Sequence, residues 1–142
     1  MATAAEMAAL KAVVPAAQAA QRKYGVPASV TLAQWIFEAS DVKKGWGQSQ
    51  LALQAHNCFG IKCRQTATPA SYVEFPTAEY ENGERVIVEA LFEKYPDDAA
   101  SFEDHARLLA TAGRYQLAMR NVGSPSNFAA CLQTAGYSTN PQ

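Results

Sequence analysis

The chain has 142 residues, about half of them apolar, which is enough for one globular domain with a real core. Its 12 Lys and Arg stand against 13 Asp and Glu, a formal charge of −1 with no long basic run, so the electrostatic footprint of a nucleic-acid binder is absent. Three cysteines, Cys58, Cys63 and Cys131, allow at most one intramolecular disulfide and lack the paired spacing of a structural zinc site.

In chain order, the alanine-rich residues 3 to 23 read as a helix broken or kinked near Pro15. This segment has no basic n-region and carries Glu6 and Lys11 early, so it does not read as a signal peptide. Pro27 and Ser29 open a second helix, VTLAQWIFEAS, in which Val30, Ala33 and Phe37 follow the i, i+3, i+7 apolar spacing. Thr31, Gln34, Trp35 and Glu38 fall on another face. SQLALQA reads as a third helix after a Gly45-Trp46-Gly47 turn. In YVEFPTAEYENGERVIVEALFEKY, Asn82-Gly83 between β-prone runs predicts a hairpin whose first arm is broken by Pro76. DAASFEDHARLLATAGRY and SPSNFAACLQTAG read as helices, the second closed by Gly136. No apolar run approaches the roughly 18 residues of a membrane span. Helices, a small hairpin and further helices give an α+β, mainly helical fold class with a cleft between the helical body and a β flap.

Several linked motifs carry more than this order does. From Pro27 to Lys62, with SVTLAQ, Glu38, GWGQSQLA, His56-Asn57 and FGIK, the chain resembles the glucosaminidase family of peptidoglycan hydrolases, glycoside hydrolase family 73. The resemblance continues through TAEYENGERV, FEKYPDDAASFEDHARLL and Arg114-Tyr115 to AGYSTNP. It implies one lysozyme-like catalytic domain over residues 1 to 142, with residues 1 to 23 as an N-terminal helical segment. Two departures are visible. Glu38-Ala39-Ser40 is followed by an extra Asp41-Val42-Lys43-Lys44, and Cys58 replaces the leucine of the usual Asn-Leu-Phe-Gly-Ile-Lys signature.

Cleaving a glycosidic bond requires a proton for the departing oxygen while an oxocarbenium-like charge develops. Glu38 matches the family's general acid, and burial among Trp35, Ile36 and Phe37 is the expected means of raising its pKa. The family pattern points to a second carboxylate in the flap, Glu79, with Glu81 and Glu74 as the neighbouring choices. Carboxylates about 6.5 to 9.5 Å apart imply inversion and about 5 Å implies retention, while the substrate's own N-acetyl group is a third choice of nucleophile. Tyr137 matches a family tyrosine beside the cleaved bond. Trp46 and Phe59 are either sugar platforms or core residues. Asn57 either binds substrate or caps a turn, and Tyr115 joins the substrate-binding set. His56 and His105 read as structural, no metal or cofactor is needed, and a Cys–His nucleophile would need His105 beside Cys63 or Cys131.

The implied activity is an endo-β-N-acetylglucosaminidase acting on peptidoglycan glycan strands, against a muramidase on the same fold or a silent wall-binding module. The expected state is a monomer acting in the periplasm or cell wall. A catalytic domain without a leader fits a phage lysin, or an injected toxin neutralised by an inhibitor (immunity) protein.

Overall fold

A computed structural model describes residues 1–63 and 71–137. Helix α1 runs Ala4–Tyr24 and opens on a capping box, with Glu6 N donating to Thr3 Oγ1 (3.1 Å) and Thr3 N donating to Glu6 Oε2 (2.8 Å). The helix is continuous through Pro15, so of the expected break or kink the break does not occur. Pro15 and Lys11 are both exposed, so the carbonyl that the missing N–H leaves unpaired can be hydrated. Val13, Ala17 and Ala20 form the buried stripe of α1.

Helices α2 (Ala28–Glu38) and α3 (Gln50–Ala55) follow, then the strands β1 (Tyr72–Glu81) and β2 (Glu84–Glu93). Helix α4 spans Asp98–Thr111, a 3₁₀ turn Gly113–Tyr115 leads into the short α5 (Gln116–Met119), and α6 covers Pro125–Thr134. The α5 segment extends past the Arg114-Tyr115 end of the expected helix. No helix among the described residues is long and apolar enough to cross a membrane.

The apolar residues divide into two clusters. One gathers Val13, Ala17, Trp35, Ala39, Phe59 and Phe102, and the other Ala20, Val26, Val30, Leu109, Tyr115 and Phe128. Helix α1 serves both and packs on α2 and α4, so residues 1 to 23 are part of the helical body. None of the cysteines is in a disulfide. Cys58 replaces the family's leucine as a core residue, and burial pushes its thiol up to about 12.

The two strands pair antiparallel, from Tyr72 opposite Glu93 to Glu81 opposite Glu84, and Asn82 (φ +53°) and Gly83 (φ +81°) make the turn. Pro76 does not break β1. It is exposed and opposite Glu89, and a two-stranded ribbon consists only of edges, where a missing N–H is tolerated. The face carrying Val73, Phe75, Thr77 and Glu79, with Val86, Val88, Ala90 and Phe92 opposite, is the more buried one.

Candidate active site

Glu38 is the last residue of α2. The helix turns Thr31 and Trp35 into the body, and Val30 is buried as well. Of the apolar-spaced residues Val30, Ala33 and Phe37, only Val30 is buried in the core. Ala33 is exposed and Phe37 is 69% exposed, and with Val30, Gln34 and Glu38 they wall a groove of about 550 Å³ whose far side is Pro125, Ala129, Leu132, Gln133 and Tyr137 of the α6 region. Their apolar spacing therefore serves a groove. Gln34 Oε1 is buried there without a hydrogen-bond partner.

A second groove, about 360 Å³, is lined by Glu38, Phe59, Gly60, Ile61, Lys62, His105, Leu108, Arg114, Tyr115 and Tyr137. Glu38 and Tyr137 are shared by both grooves, and Glu38 is the only carboxylate lining either among the described residues. Desolvation raises the Glu38 pKa above the ordinary carboxylate range. As a whole the residue is exposed, but into the cleft. The walls differ from those expected, since Trp35 is buried in the body and Phe37 is open. Gly60 (φ +64°) instead passes so close that a methyl group on it would lie 3.7 Å from Glu38 Oε2. The negative end of the α2 dipole also disfavours an anion at this position.

The loop after Glu38 is compact. Asp41 Oδ1 accepts from the backbone N–H of Lys43 and Lys44, both at 2.8 Å, and these bonds hold its pKa below the usual range. Gly45 and Gly47 adopt φ of +100° and +76°, and a Cβ on Gly47 would come within 2.8 Å of Trp35 Cζ2. The glycine bracket thus lets the loop lie on Trp35, while Trp46 packs against the first core cluster and lines neither groove.

Asn57 is buried and its amide is engaged within the loop. Nδ2 donates to Ile61 O (2.8 Å) and Glu93 O (3.0 Å), and Oδ1 accepts from Ile61 N (3.0 Å). Of its two expected roles, these bonds fill the structural one. They also hold Phe59, which is both core and groove wall, edge-on to Phe102 at 4.9 Å and stacked on His105 at 3.9 Å.

Tyr137 is set by the end of α6. Gly136 N donates to Gln133 O (3.1 Å) and Tyr137 N to Leu132 O (3.0 Å), the paired bonds of a Schellman motif, with Gly136 at φ +82°. Residues 138–141 of the AGYSTNP motif lie outside the described residues. Burial, the charge of Glu38 and Tyr115 all push the Tyr137 pKa upward, keeping the phenol protonated. Its hydroxyl lies 3.0 Å from His105 Nε2. Tyr115 is buried in the wall beneath it, ring centroids 6.1 Å apart, and its hydroxyl accepts from Arg114. His105 pairs with no cysteine, since Nδ1 has no partner. His56 bonds Asp98 at 2.9 Å.

Glu79 lines neither groove. It sits on the inner face of β1, opposite Val86, and its carboxylate pairs with Lys62, which does line the second groove. Glu74 is on the opposite face and exposed, and Glu81 is exposed at the turn. Sequence reasoning missed Gln34 and Phe37 as groove residues, gave Lys62 no role of its own, and read His105 as structural.

A family model described as mannosyl-glycoprotein endo-beta-N-acetylglucosaminidase, the glucosaminidase model, matches residues 14–142. The peptidoglycan hydrolase FlgJ of Pseudomonas aeruginosa is 38% identical over 133 residues, covering 91% of this chain and 32% of that protein. The exo-glucosaminidase LytG of Bacillus subtilis is 35% identical over 129 residues, covering 88% of this chain and 43% of that protein. The chain therefore spans less than half the length of these curated relatives. Among solved structures, the catalytic domain of the autolysin Auto from Listeria monocytogenes matches with a TM-score of 0.77 at 26% identity, over 99% of this chain and 78% of that one. A peptidoglycan hydrolase mutant from Sphingomonas sp. A1 matches with a TM-score of 0.73 at 30% identity, over 93% of this chain and 83% of that one. With nearly the whole chain under the family model and a lysozyme-like fold around the cleft, the chain belongs to the glucosaminidase family of glycoside hydrolases.

Proposed function

We propose that this domain hydrolyses the glycan strand of peptidoglycan after N-acetylglucosamine, with Glu38 as the general acid. The observation that carries the reading is the place of Glu38, among the described residues the one carboxylate lining the two grooves, which share it and Tyr137, with a pKa raised by desolvation. A polymer lying in both grooves passes its scissile bond over Glu38. A protonated Glu38 then delivers its proton to the departing oxygen.

Glu79 is the second carboxylate in this reading. Its inward face on β1 and its pairing with Lys62, at the wall of the groove, support it over Glu74 and Glu81. Tyr137, beside Glu38, holds the substrate's N-acetyl group, and Phe59 and Tyr115 wall the sugar site. Gln34 Oε1 offers an unmatched acceptor to a substrate amide or hydroxyl in the first groove. Such a substrate places the domain at the periplasm or cell wall. Delivery by a specialised secretion system would require an inhibitor protein in the producing cell, seated in the same cleft.

The test is product analysis. Purified peptidoglycan is digested, the products are reduced with borohydride, and mass spectrometry is expected to show new reduced N-acetylglucosamine ends. Ends in N-acetylmuramic acid would make the domain a muramidase. Intact glycan with retained binding would make it a wall-binding module.

A further inference from the structure

We propose that His105 is a positioning residue for the reaction: held as the Nε2–H tautomer, it donates to the Tyr137 hydroxyl oxygen and so turns Tyr137's own proton toward the cleft beside Glu38. The inference rests on the reading of Tyr137 as a substrate contact. His105 sits in mid α4 between Phe102 and Leu109 and is fully buried, with its ring stacked on Phe59. One ring nitrogen, Nε2, meets Tyr137 Oη at 3.0 Å, while Nδ1 is buried with no partner.

The two neutral tautomers are unequal here. With the proton on Nδ1, a buried N–H donor is orphaned. With the proton on Nε2, only an acceptor lone pair goes unused, which is the less costly defect. The second tautomer fixes the hydroxyl as well. A phenol has one donor, and once its oxygen accepts from His105 its hydrogen must point elsewhere. No hydrogen bond joins Tyr137 to Tyr115 among the described residues, and the open side of Tyr137 is the cleft it shares with Glu38. Tyr137 thus presents a donor, suited to the carbonyl oxygen of an N-acetyl group. Desolvation lowers the His105 pKa to about 3, so the ring stays neutral at working pH.

Two measurements test this on the full chain. His105 and His56 are its only histidines, so a ¹⁵N–¹H correlation spectrum of the labelled imidazoles is simple, and His56→Gln assigns it. The spectrum is expected to show His105 as the Nε2–H tautomer between pH 5 and 8, and an Nδ1–H or doubly protonated ring would overturn the inference. In kinetics, His105→Phe keeps an aromatic stack on Phe59 but loses the donor. It is expected to lower kcat about tenfold with KM nearly unchanged, and His105→Gln to restore part of the loss. In a Tyr137→Phe background, His105→Phe is expected to cost nothing further. An equal loss in both backgrounds would assign His105 to packing and overturn the inference. Tyr137→Phe at the wild-type rate would instead remove the role of Tyr137 and this inference with it, whatever tautomer is found.

Discussion

Glu38 stands at the end of a helix whose Trp35 and Thr31 are 2% and 0% exposed, whereas Glu79 stands on a ribbon in which Phe92 is the one buried residue. The helix is fixed by the first core cluster below it and by Ala39, fully buried immediately after it. Anchoring of the ribbon concentrates at its base, where Glu93 N donates to Ile61 O (3.0 Å), Cys63 N to Leu91 O (2.8 Å) and Asn57 Nδ2 to Glu93 O (3.0 Å). At the other end Glu81, Asn82, Gly83 and Glu84 are exposed. The two carboxylates are thus carried by regions of different local stability. A proton donor has to be aligned with the bond it breaks, and a packed helix provides that alignment. A group that faces the opposite side of the sugar can sit on an element that adjusts when substrate binds.

The largest expected effect is on the rigid side. Glu38→Gln keeps the shape and removes the proton, so lysis of purified peptidoglycan should fall by about 10² to 10⁴-fold. In the wild type, activity should decline as pH rises through the raised pKa of Glu38, at a pH above the ordinary glutamate range. Linkage gives an independent check. A folded-state pKa above the unfolded value contributes stability that is present below the unfolded pKa and lost as pH rises through the folded one. At neutral pH the unfolded chain, in which Glu38 ionises more readily, is therefore favoured relative to a chain with a neutral side chain at this position. Glu38→Gln should raise Tm at pH 7 and leave it nearly unchanged at pH 4. A normal lysis rate in the variant would remove Glu38 from catalysis, and a lowered Tm at pH 7 would show that the carboxylate is stabilised.

Next in size is the ribbon side. Glu79→Gln is expected to lower kcat about 10 to 10²-fold with little change in KM, because its contribution arises in the transition state. Glu74→Gln, on the outer face, and Glu81→Gln, at the turn, should remain close to wild type. If Glu79→Gln retains nearly full activity while Tyr137→Phe loses it, the substrate's N-acetyl group is the better second participant and the ribbon carries no catalytic group.

The contrast also separates what was legible in the sequence from what was not. Asn82-Gly83 and Gly136 declared their positions because a left-handed backbone within a few residues decides the turn and the helix end. Pro76 did not break its strand and Pro15 did not end its helix, because the cost of proline depends on whether its surroundings are solvated, and in the fold both are exposed. Val30, Ala33 and Phe37 share an apolar spacing, yet only Val30 is core while Ala33 and Phe37 are exposed in a groove, since periodicity detects an apolar face and not what lies against it. The position of Glu38 was readable only through linked motifs. His105 is the hardest case. Its partner is 32 residues away, and a lone histidine gives no local sign of a long-range bond. A sign was present nonetheless in its spacing with Phe102, Ala106 and Leu109, the buried stripe of α4.

The smallest effect concerns Lys62, which joins the two regions. Its backbone bridges to Phe92 at the ribbon's base, while its side chain lines the second groove and pairs with Glu79. The lysine side chain is 56% exposed and that of the glutamate 29%, so solvent screens the pair and its share of stability is under about 1 kcal/mol. Lys62→Met, which keeps most of the aliphatic length and removes the charge, should therefore shift Tm very little. Catalysis is a different quantity. If the pair holds Glu79 at the groove, freeing that carboxylate on a lightly anchored strand should lower kcat about three- to fivefold, by spreading Glu79 over unproductive positions. The loss should nearly vanish in a Glu79→Gln background, where there is no carboxylate left to place. Raised salt should reproduce part of the loss in the wild type and none in Lys62→Met, because only the former has a charge pair to screen. An unchanged kcat for Lys62→Met alongside a strongly impaired Glu79→Gln would mean that the strand alone places Glu79, and that Lys62 is an ordinary surface partner.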